Sequence, residues 1–259
     1  VYVTGKSQGS GTGFNIVTIK YDSSGVKKWA SVFNGGVSGN GGYDLIVDVF
    51  GNVYVVGLAN SGVVIKYNPL GVILWNTGLY GFFGQNEIFI AKNNNDDHII
   101  VTGGNSYYDY YNLEELNPSN GNSIFHYNWD TNNSRKGIPN ALTLDGLGNI
   151  YVTSTTTQQT SSEPHTLATT KFLYPGTGTG PYNSNNFLTV NSPRTISGLD
   201  TKIDNNGNLY ILAKLWTGVN WAFFIKKYDP SSLGWIITTG SSVGNDTIPA
   251  SLSLSNNLN

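Results

Sequence analysis

Apolar positions recur along the chain in one arrangement. Five segments are apolar on both strand faces: Val1-Tyr2-Val3-Thr4-Gly5, Val53-Tyr54-Val55-Val56-Gly57, Ile99-Ile100-Val101-Thr102-Gly103, Ile150-Tyr151-Val152-Thr153-Ser154 and Leu209-Tyr210-Ile211-Leu212-Ala213. Their β-branched and aromatic residues predict strands, and two apolar faces predict strands covered on both sides. They divide the chain into repeats 1–52, 53–98, 99–149, 150–208 and 209–259. A period of about 50 residues belongs to solenoids and propellers.

Each repeat carries signals for four strands. The turns Asp48-Val49-Phe50-Gly51-Asn52, Asp145-Gly146-Leu147-Gly148-Asn149 and Asp204-Asn205-Asn206-Gly207-Asn208 precede the recurring segment, with weaker copies at 94–98 and 255–259. Asp, Asn and Gly there suit tight hairpins. Before the turns lie first strands at 45–47, 88–91, 141–144, 199–203 and 251–254; third strands follow at 16–21, 63–67, 169–172 and 223–228. A second family of turns, Asp22-Ser23-Ser24-Gly25, Asn68-Pro69-Leu70-Gly71, 117–121 and 229–232, has type I chemistry and leads into a fourth strand. That strand carries Trp29, Trp75, Phe125 and Trp235; the three tryptophans are read as core, and Trp235 directly follows Gly234, so its register differs. Repeat 4 lacks the aromatic and has a Gly-rich turn at 175–181. No segment shows a helical period. The expected fold is all-β: a single-domain, five-bladed β-propeller of four-stranded antiparallel blades.

These motifs resemble the bacterial and archaeal β-propeller repeat that reads D-x-x-G-N-x-Y-V-T-G followed by K-Y-D-x-x-G-x-x-x-W. They are also similar to the YVTN repeats of surface-layer proteins. The resemblance spans all five repeats, more loosely in repeats 3 and 4. It implies a secreted or surface protein whose propeller has no assigned reaction.

The order of strands bears on closure. Residues 255–259 read like the turn that should run into Val1. The expectation is a ring closed by a composite blade, its innermost strand from the C-terminus and three outer strands from the N-terminus. Closure removes open sheet edges. A cut from a longer propeller and a polymer made by strand exchange are the alternatives. The absence of Met reads as a processed or excised chain.

Composition narrows the function. Only 12% of residues are charged and the net charge is −2, which gives no case for nucleic acid or anionic membrane as partner. With no Cys, disulfides, Cys-ligated zinc and thiol catalysis are excluded. No apolar run reaches the roughly 18 residues of a membrane helix.

Candidate chemistry lies on the face with the second-to-third-strand loops and blade-to-blade connections, where length and composition vary. Tyr107, Tyr108, Tyr110, Tyr111, Trp216, Trp221, Phe82 and Phe83 are the candidate binding residues, able to stack on sugar rings or another protein. Strand-end packing between blades is the structural alternative for the tyrosines. His98 falls at a first-to-second-strand turn, His126 in a fourth strand and His165 in a long loop, so no convergent acid–base pair or metal site is expected. Glu114 and Glu115 point to opposite strand faces and form no carboxylate dyad; exposure or one buried pair accounts for them. The Asp-rich turns do not match calcium-loop spacing. Asn132 and Asn245 open N-x-[ST] sequons and are candidate glycosylation sites. The chain is therefore read as a non-enzymatic extracellular or cell-surface module, structural or adhesive. Its expected partners are itself, other surface proteins or glycans, with no cofactor or metal. A carbohydrate-binding propeller and a propeller lyase or hydrolase are the alternatives.

Overall fold

The D-x-x-G-N-x-Y signature is one hydrogen-bonded unit. In the computed structural model, Asp48 Oδ1 accepts the backbone N–H groups of Phe50 and Asn52, while Oδ2 accepts Asn52 Nδ2 at 2.7 Å and the Tyr54 hydroxyl at 3.4 Å. Asp145 and Asp204 repeat the arrangement, each taking its tyrosine hydroxyl at 3.1 Å. Four donors use the lone pairs that a calcium ion would need. Burial first, then the neighbouring carboxylate, pushes the phenols of Tyr54 and Tyr151 above their ordinary value. The turns after the third strands are built on one oxygen: Asp22 Oδ1 takes the N–H groups of Ser24 and Val26, and Asn68 Oδ1 those of Leu70 and Val72.

One pH effect follows from the first kind of turn. Burial raises the Asp204 carboxyl, but its donors Asn208, Asn206 and Tyr210 outweigh this and hold it below the ordinary 3.8. A depressed folded value stabilises the fold above 3.8, and that contribution is lost as pH falls through the folded value. Asp204→Asn is expected to flatten the acid limb of the unfolding curve, measured as denaturation midpoint against pH below about 4.

The structure describes residues 1–9, 11, 13–35, 41–82, 88–104, 110–130, 135–158, 166–174, 183–191, 196–229, 234–241 and 251–254. The chain divides into two compact units, Val1–Trp129 and Asp130–Asn259. Among the described residues the first holds three antiparallel sheets: β1 (Tyr2–Gly9), β2 (Gly13–Tyr21) and β3 (Lys27–Phe33); β4 (Gly41–Val47), β5 (Val53–Ala59), β6 (Ser61–Tyr67) and β7 (Ile73–Gly78); β8 (Ile88–Lys92), β9 (Ile99–Gly104), β10 (Tyr110–Leu116) and β11 (Ser123–Asp130). The second holds two: β12 (Arg135–Leu144), β13 (Ile150–Gln158), β14 (Thr166–Leu173) and β15 (Asn183–Asn191); β16 (Ile196–Ile203), β17 (Leu209–Trp216), β18 (Trp221–Asp229) and β19 (Gly234–Ser241). Every sheet follows chain order, so neighbours in sequence are neighbours in space. Trp29 stands opposite Lys20 and Trp75 opposite Lys66, whereas Trp235 stands opposite Tyr228, the shifted register expected from Gly234.

Within each unit the sheets pack face to face. Ile16 of β2 meets Val53, Val55, Ile65 and Tyr67 of the second sheet. Tyr54, Val56 and Val64 meet Ile88, Ile90, Ile99 and Val101 of the third. Tyr151 and Leu167 meet Ile196, Leu209, Ile211 and Ala213. A latch joins successive sheets in the first unit. Trp29 Nε1 and Lys20 Nζ donate to the Pro69 carbonyl, and Trp75 Nε1 and Lys66 Nζ donate to the Pro118 carbonyl.

Two expectations are revised. The first of the recurring segments is not buried on both sides: Val1 and Val3 are exposed, whereas Val53 and Val55 are fully buried. One face of β1 packs on β4, with Lys6 against Gly41, and no strand pairs with its outer edge among the described residues. Residues 251–254 do not form a ladder strand, and 255–259 lie outside the described residues. Leu252 N nevertheless donates to Asp200 Oδ2 on β16 at 2.8 Å, just as Ile90 N of β8 donates to Asp44 Oδ2 on β4 at 3.1 Å.

Candidate functional site

The candidate aromatics separate by position. Trp216 ends β17 and Trp221 begins β18, directly opposite each other across a hairpin. Thr217 closes that hairpin: its hydroxyl bonds the carbonyl and Oδ1 of Asn220, and its N–H meets the Asn220 carbonyl at 2.9 Å. The two indoles meet edge to face with centroids 5.5 Å apart, and Lys214 Nζ sits 4.8 Å from the Trp221 ring. Both tryptophans are half-buried, and Val219 at the tip is exposed. An aromatic surface flanked by an ammonium and amides suits a ligand with apolar faces and hydroxyl edges.

Phe82 and Tyr111 are core residues and present no open ring face. Phe82 is only 1% exposed: its carbonyl accepts Gly62 N–H at 2.8 Å, its Cβ lies over Gly62 and its ring over Gly103. Tyr111 is fully buried opposite Gly104, having joined β10 instead of remaining in the loop. Phe83, Tyr107 and Tyr108 lie outside the described residues, as do His165, Asn132 and Asn245; of Tyr110 only the backbone, at the start of β10, is described.

The third sheet gathers ionisable groups that sequence reasoning kept apart. Glu114 and Glu115 do point to opposite faces, but both are buried, at 3% and 6% exposure, and each meets a histidine. Glu114 Oε2 and His126 Nδ1 face each other at 3.7 Å, too far for a hydrogen bond, and both atoms are buried without another partner. Burial pushes the Glu114 carboxyl up, against the pull of Ser123, His126 and the Tyr80 backbone. The exposed Tyr80 ring stands edge-on to His126 at 5.3 Å, and His126 Nε2 lies 2.7 Å from Asn128 Oδ1. On the opposite face His98 Nδ1 lies 2.6 Å from Glu115 Oε1 and 3.2 Å from Asp96 Oδ2. Acidic and imidazole groups therefore do converge, against the expectation from spacing. The available signal was misalignment among repeats. Tyr2, Tyr54, Tyr151 and Tyr210 stand opposite Lys20, Lys66, Lys171 and Lys227; the third repeat puts Ile100 opposite Glu115.

No protein-family model matches the sequence, nor does any curated protein. Solved structures do match. An ulvan lyase of polysaccharide lyase family 25 is similar with a TM-score of 0.58 at 11% identity, over 86% of this chain and 60% of that one. A protein of unknown function from Bacteroides caccae gives 0.51 at 12% identity, over 91% and 72%. BamB from Moraxella catarrhalis gives 0.50 at 14% identity, over 90% and 67%. The chain thus spans less than two thirds of the lyase. At these identities the likeness shows the fold alone: an all-β chain of the β-propeller kind. No helix among the described residues is long and apolar enough to cross a membrane.

Proposed function

We propose that this chain is a non-enzymatic, extracellular or cell-surface propeller that serves as a structural and adhesive module, recognising neutral polar ligands, glycans foremost. The observation that carries the reading is the Trp216–Trp221 pair at the tip of the β17–β18 hairpin, with Lys214 on the Trp221 face. Stacking on indole requires no charge on the ligand, which suits a chain with 12% charged residues. The resemblance of its repeats to those of surface-layer propellers supports the location, with glycans or other surface proteins as partners. Five blades closed by residues 251–254 complete the reading. The Leu252–Asp200 bond supports it, because the matching Ile90–Asp44 bond joins the first strands of neighbouring sheets.

A glycan array tests the proposal. Wild type is expected to bind a subset of oligosaccharides, and Trp221→Ala or Trp216→Ala to weaken this by about 10-fold or more while the circular dichroism spectrum is kept. Absence of any bound glycan, or binding indifferent to both substitutions, would count against it. A second reading, a lyase or hydrolase, is favoured by the buried Glu114 beside His126 and the exposed Tyr80. Shortened or unsaturated oligosaccharides in the same incubations would favour it.

A further inference from the structure

Three positions of the repeat change together in the third sheet, and they meet in space. In four repeats a second-strand tyrosine stands opposite a third-strand lysine whose Nζ lies over its ring: Lys20 over Tyr2 at 5.1 Å, Lys66 over Tyr54 at 4.9 Å, Lys171 over Tyr151 at 5.1 Å and Lys227 over Tyr210 at 5.4 Å. In the third, Ile100 and Glu115 take these places, and a cation becomes an anion. The turn before the second strand ends on Asn52, Asn149 or Asn208 in three repeats and on His98 here. That turn is also one residue longer: Asn93 N bonds His98 O, where Asp48 N bonds Asn52 O. The longer turn carries Asp96, whose side chain turns to His98, while Asp97 pairs with Lys92.

From this we infer that Asp96, His98 and Glu115 form a site for a borderline divalent cation, zinc in the first instance. One imidazole nitrogen and two carboxylate oxygens are the donors such a metal takes, and calcium, which prefers oxygen alone, is disfavoured. The three donor atoms lie within 4.8 Å of one another. Around tetrahedral zinc, with bonds of about 2.0–2.1 Å, donor atoms stand about 3.3 Å apart. The separation of His98 Nδ1 from Asp96 Oδ2, 3.2 Å, already meets that value; its 2.6 Å approach to Glu115 Oε1 must open by more than half an ångström as the metal enters between them. Asp96 and His98 keep some solvent exposure, so an ion can enter and water can take the fourth position. No scaffold need accounts for the change, since Asn with the Lys–Tyr pair fills the same place in the second, fourth and fifth sheets.

The test compares wild type with the double variant His98→Asn/Glu115→Lys, which restores the residue types of the other repeats. Both are titrated calorimetrically with zinc chloride, then with calcium chloride. Wild type is expected to take up one more equivalent of zinc than the variant and to melt higher in zinc. Reading the difference cancels any site elsewhere in the chain. Equal zinc uptake by the two proteins overturns the inference, as does a calcium response equal to that with zinc. If the double variant fails to fold, Asp96→Asn takes its place, with zinc affinity expected to fall at least about 10-fold and an unchanged affinity overturning the site.

Discussion

Phe82→Ala is expected to lower the free energy of unfolding by about 3–5 kcal/mol, the cost of a large core truncation. The ring lies in the cluster formed by Tyr54, Val56, Leu79, Ile88 and Val101, between the second and third sheets. Its backbone is held as well, through Gly62 on one side and Asn112 Nδ2 donating to the adjacent Gly81 carbonyl at 2.9 Å on the other. The segment therefore cannot collapse far into the space left behind, which puts the expected cost towards the upper part of that range. Urea denaturation followed by tryptophan fluorescence measures it. A loss under about 1 kcal/mol would mean that the loop carrying Phe82 is not part of the core, and would return Phe82 to the list of ligand contacts.

The second large effect separates two costs that usually arrive together. Gly71 and Gly25 occupy equivalent turns with the same left-handed backbone, φ +82 in each. An added Cβ at Gly25 meets nothing within 4 Å, whereas at Gly71 it falls 2.6 Å from the Trp29 ring, which is itself held by Pro69. Gly25→Ala is expected to cost only backbone strain, about 1–2 kcal/mol. Gly71→Ala adds overpacking, for a total of about 2–5 kcal/mol. The difference in unfolding free energy between the two variants reports the latch. Equal losses would mean that Trp29 moves aside freely and that the indole–carbonyl bond contributes little to holding the first two sheets together.

How much of this was legible beforehand varies with the range of the interaction. Asp48, Gly51, Asn52 and Tyr54 declare their turn in the sequence because every bond in it spans six residues or fewer. The reversal between β17 and β18 was legible for the same reason, but Trp216 and Trp221 read as loop residues and are paired strand ends. Tyr111 followed the strand-end alternative, whereas Phe82 was misplaced because an aromatic beside glycines reads alike in an exposed loop and under a neighbouring sheet. Only the approach of Gly62 and Gly103 decides between them. The Glu–His pairs were hidden differently. Strand alternation correctly sent Glu114 and Glu115 to opposite faces, but not to what those faces would meet.

Local chemistry by itself determined the strands other than 251–254, their order within each sheet and the hairpin turns, since these rest on neighbours in the chain and on the alternation of side chains. Tertiary structure alone decided which apolar residues became core, that two buried carboxylates each received an imidazole, and that the outer edge of β1 found no partner among the described residues. The physical reason is that burial is a property of two packed surfaces, and a single strand specifies only one of them.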